Sequence, residues 1–112
     1  MTDCLFCRIA AGELPAEVVH ETERTLAFRD IGPQAPTHVL VVPRDHHADA
    51  GACADADPSL LGDVLAAAVA VARQEGLDGG YRLVTNTGDD GGQTVHHLHV
   101  HVLGGRALGP LG

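Results

Sequence analysis

The chain contains no lysine and no tryptophan, and only three aromatic residues, Phe6, Phe28 and Tyr81. Its longest apolar run is the nine residues Val64 to Ala72, well short of the roughly 20 that a membrane-spanning helix needs. The opening MTDCLFCRIA has an acid at Asp3 and no cationic stretch leading into a long apolar one, so no secretory signal is expected and the predicted location is cytoplasmic. Seven Arg against fifteen Asp and Glu give a formal charge of −8, which repels a phosphate backbone and argues against a nucleic-acid partner. Three aromatics also leave little to stack on single-stranded bases. Three cysteines, an odd number, point to thiols or metal ligands rather than a disulfide framework.

What is present suffices for a core: 112 residues, 45% of them hydrophobic, predict one domain spanning 1–112. There is no internal repeat, and Gly32-Pro33, Ala35-Pro36 and Gly79-Gly80 separate short ordered pieces. Leu5 to Ala11, stopped by Gly12, reads as a short helix, and Val18 to His20 and Leu26 to Arg29 as short strands. The β-branched run His38 to Val42, closed by Pro43, reads as a buried strand. Asp57 is a candidate N-cap with Pro58 at the first helical position and Gly76 as the stop. Between them Leu61, Val64, Leu65, Ala68 and Val71 share a face, predicting one long helix. Tyr81 to Asn86 and His97 to Leu103 then read as antiparallel strands, and the fold class is α+β.

Four of the eight histidines fall in Val95 to Leu103, VHHLHVHVL. Because a strand turns alternate side chains to opposite faces, Leu98, Val100 and Val102 should be buried and His97, His99 and His101 should share the other face. Imidazole can act as nucleophile, acid or base near neutral pH, and three in strict alternation favour such a role over a solvent-facing strand or a bare metal-binding tract. Upstream lies Asn86-Thr-Gly-Asp-Asp-Gly-Gly-Gln-Thr94, whose glycines permit conformations that aim several N–H groups at one anion. It is no Walker loop, since that loop ends in Gly-Lys-Ser/Thr, and an ordinary wide hairpin turn has similar composition.

The tract His97-Leu98-His99-Val100-His101-Val102-Leu103 resembles the signature of the histidine-triad (HIT) family at every position. LAFRDIGPQAPTHVLVVP (Leu26 to Pro43), GYRLVTNTGDDGGQTV (Gly80 to Val95) and HVLGGR (His101 to Arg106) are similar to its Hint branch. The likeness runs from about Cys4 to Arg106, leaving 107–112 as a tail. It implies a HIT-like fold: an antiparallel sheet with one long helix and a short N-terminal helix, paired across a two-fold axis into a homodimer with a continuous sheet. It implies an enzyme that cleaves purine nucleotides at the α-phosphate, most specifically an adenosine phosphoramidase releasing AMP through a nucleotidyl-histidine. No organic cofactor is implied.

Residue by residue, the resemblance makes His99 the nucleophile and places His97 where it helps set the geometry. A protonated His101 lies by the α-phosphate and leaving group, and His38 is a buttressing fourth histidine. Thr94 stands where the family commonly has Ser. Asn86, Gly92 and Gln93 are expected on the phosphate, and Asp30 on the ribose, although Asp30 ahead of Gly32-Pro33 equally reads as a turn former. Leu5, Phe6, Ile9, Phe28 and Ile31 are expected to wall a base pocket, or equally to be ordinary core, with Arg29 near the base or ribose.

Cys4-x-x-Cys7 has the separation of zinc ligands but alone is equally a thiol or redox pair. The resemblance completes it with His46, rather than neighbouring His47, and with His97, implying a closed structural zinc site. Cys53 lies in an Ala/Asp-rich stretch read as a loop, with no assigned role, and His96 stands where an aromatic is common. The tail Ala107 to Gly112 lacks the aromatics by which the family helps choose a leaving group. The rival readings are a nucleotide-binding or zinc-stapled interaction module with negligible turnover, and a hydrolase of dinucleoside polyphosphates or acyl-adenylates.

Overall fold

A computed structural model describes residues 3–111; residues 1, 2 and 112 of the expected domain lie outside the described residues. The element order is α1 (Leu5–Ala10), β1 (Val18–Glu21), β2 (Thr25–Arg29), β3 (Thr37–Pro43), α2 (Ala50–Ala56), α3 (Pro58–Gln74), β4 (Tyr81–Val84) and β5 (Val100–Gly104). The strands form one antiparallel sheet in the order β1-β2-β3-β5-β4, so the expected α+β class holds.

The sheet is covered on both faces, and strand alternation decides which side chain goes where. Ala27, Val39, Val41, Val100 and Val102 join Leu60, Val64, Ala68 and Val71 of α3 in the larger core. Leu26, Phe28, Leu40 and Val42 face the other way and pack with Phe6, beneath α1. The α3 stripe is rotated from the expected one: Leu60, Val64, Ala67, Ala68, Val71 and Ala72 are buried, while Leu65 is 44% exposed. Asp57 caps α3 as expected, accepting from the Leu60 N–H at 3.2 Å, with Pro58 in the first turn.

Two expectations fail. The Ala/Asp-rich stretch is not a loop but α2, capped by Asp49, whose side chain accepts from the Ala52 N–H at 2.8 Å, and Cys53 on it is fully buried in the core. Alanine's helix propensity and the Asp49 cap outweigh the Asp and Gly that suggested a loop. The histidine strand begins only at Val100, and β4 ends at Val84. The ladder stops because the Leu98 N–H is taken by the His47 carbonyl at 2.7 Å and the His99 carbonyl by the Thr85 hydroxyl at 2.9 Å. No helix among the described residues is long and apolar enough to cross a membrane.

Candidate active site and metal centre

The alternation survives although the ladder does not. Leu98, Val100 and Val102 enter the larger core, and His97, His99 and His101 turn to the α1 side. They are not solvent-facing: His97 is fully buried and His99 is 7% exposed, because Phe6 lies edge-on to both rings at centroid distances of 6.0 and 5.0 Å.

Hydrogen bonds fix each tautomer. A carbonyl only accepts, so His99 Nδ1–H donates to the His97 carbonyl at 2.8 Å and the lone pair of neutral His99 lies on Nε2. His38 Nδ1 accepts the Gln34 N–H at 3.0 Å, so its Nε2–H donates to His101 Nδ1 at 2.9 Å. Neutral His101 therefore carries its proton on Nε2. These two rings are diagonal neighbours across β3 and β5, since Leu40 pairs with His101 and His38 with Leu103. Asp30 Oδ1 accepts the Gly32 N–H at 2.7 Å, closing the turn, while Oδ2 lies 3.5 Å from His38 Nε2. With the His38 Nδ1 lone pair engaged by Gln34, a cation on Nε2 would need a fully deprotonated ring, so His38 and His101 are a hydrogen-bonded pair with the Asp30 carboxylate beside it rather than a cation site.

The protonated His101 that the resemblance implies beside a phosphate is not the state of the ring without one. Burial first, then the neighbouring His99 and His38, push its pKa down to about 4, so it is neutral at pH 7 in the free protein. His38 is lowered too, by burial, with Asp30 opposing. In the unfolded chain the His101 imidazole takes up its proton near 6.5, so between that value and about 4 the unfolded state binds more protons. Its stabilising contribution is whole above about 6.5 and is lost as the pH falls toward 4. At about 1.4 kcal/mol per unit the ceiling is about 3 kcal/mol, lowered by partial exposure of the ring. Denaturant unfolding at about pH 7 and about pH 5 should show His101→Asn losing less stability on acidification than wild type; equal losses would contradict the shift.

Beside the histidines opens a cleft of about 570 Å³ lined by all five expected wall residues, Leu5, Phe6, Ile9, Phe28 and Ile31, and by Asp30. Arg29 also lines it, but its guanidinium is held by Glu75 at 2.7 and 3.2 Å and by Glu17 at 2.8 Å. A hollow of about 380 Å³ beside α3, lined by His20, Arg24 and Asp63 among others, includes none of the motif histidines.

In the glycine-rich loop, Gly92 adopts φ +82°, and a Cβ on Gly91 would lie 2.4 Å from the Thr87 carbonyl oxygen. Thr94 is exposed and Asn86 half-buried. Gln93 differs from expectation: it is 7% exposed and points inward, both its amide hydrogens donated to the Ala48 and Val95 carbonyls at 2.7 and 3.0 Å and its oxygen accepting the Gly88 N–H at 3.0 Å. Its side chain has no donor left for a phosphate. Sequence offered no signal for this, because the partners are main-chain groups.

The second constellation also assembles. His97 Nδ1 lies 3.3 Å from Cys4 Sγ, 3.4 Å from Cys7 Sγ and 3.2 Å from His46 Nδ1, and Cys7 Sγ lies 3.4 Å from His46 Nδ1. Tetrahedral zinc with its usual bond lengths spaces such ligand atoms about 3.3 to 3.8 Å apart, so the donor set and its dimensions fit that ion. The His97 Nε2–H donates to the Pro43 carbonyl at 2.9 Å, leaving Nδ1 free to ligate. Burial, and then Cys4, push the Cys7 thiol up to about 11, so a cation must displace its proton on binding. His47 stands outside this cluster and contributes its carbonyl to the Leu98 N–H.

The family model described as HIT domain matches residues 11–108. The chain belongs to the HIT family. It is 47% identical over 106 residues to the 14 kDa zinc-binding protein of Zea mays, covering 93% of this chain and 83% of that one. Among solved structures it is similar to a HIT family hydrolase from Clostridium thermocellum, with TM-score 0.93, 44% identity and coverage of 99% and 97%. It is also similar to a histidine triad nucleotide-binding protein from Candida albicans, with TM-score 0.83, 30% identity and coverage of 98% and 84%. The alternating histidines that suggested the family from sequence are thus a HIT triad, standing beside an apolar cleft and a cation-sized cluster of Cys and His.

Proposed function

We propose that this HIT protein is a nucleotide hydrolase acting at the α-phosphate, with nucleoside phosphoramidates as its substrate class and AMP as the product. The observation that carries the reading is the fixed tautomer of His99: Nδ1–H is committed to the His97 carbonyl, which leaves Nε2 as a nucleophile. The similarity to the Clostridium thermocellum hydrolase and the Candida albicans nucleotide-binding protein supports it. So does the charge of −8 with no lysine, which disfavours a long polyphosphate and so the dinucleoside polyphosphate alternative.

In this mechanism Leu5, Phe6, Ile9, Phe28 and Ile31 take the purine, and Asp30 Oδ2 accepts from the ribose hydroxyls. Asn86, Gly92, Thr94 and the loop amides face the α-phosphate. His99 Nε2 attacks phosphorus and the P–N bond breaks. The positive charge that develops on the His99 ring is steadied by the His97 carbonyl at Nδ1–H. An anionic phosphate beside His101 raises the pKa of that ring, so with the substrate His101 takes up a proton at Nδ1, displacing the His38 Nε2–H from that lone pair, and passes its Nε2 proton to the departing amine. Water, deprotonated by the now neutral His101, then cleaves the nucleotidyl-histidine and releases AMP. Cys4, Cys7, His46 and His97 would hold a zinc ion, which would supply structure by tying the N-terminus to the histidine segment.

Steady-state release of AMP from adenosine phosphoramidate tests the reading. Turnover supports it, whereas intact AMP binding without turnover would favour the zinc-stapled binding module, for which the name of the Zea mays relative is the supporting observation. We also propose a homodimer: β4 is an edge strand whose Tyr81 is 40% exposed, and α3 presents Leu65. Sedimentation should give twice 11.6 kDa at micromolar concentration, and the monomer mass would refute it.

A further inference from the structure

Three consecutive residues, His46 to Ala48, each hold a different part of the site. His46 Nδ1 belongs to the Cys/His cluster. The His47 carbonyl accepts the Leu98 N–H at 2.7 Å, between His97 and His99. The Ala48 carbonyl accepts from Gln93 Nε2 at 2.7 Å, and the same side-chain amide closes the loop on itself through Val95 and Gly88. Among the described residues, that Ala48 contact is the hydrogen bond that joins the Gly88 to Val95 loop to the body of the protein. The other bonds of the loop, Gly92 N–H to Asp89 and Gln93 N–H to Gly88, are internal. A loop with Gly92 in a left-handed conformation and Gly91 against Thr87 does not hold its shape by side-chain packing alone.

We propose that Gln93 is a positioning residue through which the metal cluster sets the geometry of the glycine-rich loop at the α-phosphate. The inference rests on the nucleotide reading above. Gln93 touches no reacting atom; it passes the position of the 46–48 segment, which a cation held at His46 would fix, to the loop amides and Thr94. The chemistry requires the amide. Two donors on Nε2 face two carbonyls and Oε1 faces an N–H, so a carboxylate of the same shape would keep the Gly88 contact but set its other oxygen against both the Ala48 and Val95 carbonyls. Coupling between two sites is reciprocal, so phosphate on the loop must also be felt at the metal.

The test uses protein loaded with cobalt(II), whose visible absorption reports its ligand field, and two probes, AMP and adenosine. In wild type, AMP should shift the cobalt bands and adenosine should not. Gln93→Glu and Gln93→Met should keep the metal yet lose the AMP-induced shift. Their AMP affinity should fall about tenfold or more, in keeping with lost hydrogen bonds to a charged group, with adenosine affinity within about twofold of wild type. Equal losses for AMP and adenosine would mean a merely structural glutamine and overturn the proposal. So would cobalt bands indifferent to AMP in a wild type that binds it, an arm that needs no variant to fold. Failure of wild type to bind either probe would instead bring down the nucleotide reading itself.

Discussion

Replacing His99 with alanine is expected to lower kcat for adenosine phosphoramidate by about 10⁴-fold or more, the scale seen when an enzyme loses its covalent nucleophile. AMP affinity should change little, because the expected purine contacts come from the cleft walls of α1 and β2 and not from this ring. Single-turnover kinetics with calorimetric AMP binding separates the two quantities. A variant that binds AMP and loses only a few-fold in rate would remove His99 from the nucleophile's role. One that loses binding and rate together would mean the ring chiefly shapes the cleft through its edge-on contact with Phe6.

The second large effect is expected at the metal centre. Protein purified without chelator should carry close to one zinc per chain. Cys4→Ser should lower that content and reduce Tm by about 10 °C or more, since closed Cys/His sites contribute several kcal/mol and each kcal/mol shifts a domain of this size by about 4 to 8 °C. The cause is local: His97 would be at once a ligand by Nδ1, a donor to Pro43 by Nε2 and, through its carbonyl, the partner of His99. Loosening it should therefore slow the chemistry as well as soften the fold. A metal content near zero, or one unmoved by Cys4→Ser, would leave a pair of thiols with no structural role.

Sequence carried much of this arrangement because the patterns that encode it are local. The alternation in Val95 to Leu103 assigned each side chain its face, and Asp57-Pro58 marked the start of α3, without reference to anything distant. What escaped depends on long-range partners. The inward turn of Gln93 is set by the carbonyl of Ala48, the neutral state of His101 by burial and two neighbouring rings, and the late start of β5 by His47 and Thr85. Helix α2 was hidden for another reason: the Ala/Asp-rich stretch around Cys53 read as a loop, although Asp49 at its start is a helix cap. Leu65, counted into the buried stripe because its spacing puts it on one face with Leu61, Val64, Ala68 and Val71, stands outside it.

The division of β5 between the two faces also bears on folding errors. Strands that pair out of step by one residue exchange their faces. Such a slip here would drive His99 and His101 into the layer beneath α3, where Ala68 and Val71 offer no hydrogen-bonding partner, and would expose Val100 and Val102 to the cleft. Each imidazole buried without a partner costs on the order of 1 to 3 kcal/mol, before the lost burial of the valines is counted. Misaligned chains are thus rejected by core energetics alone, and a molecule that has formed its apolar layer has already aligned its imidazoles.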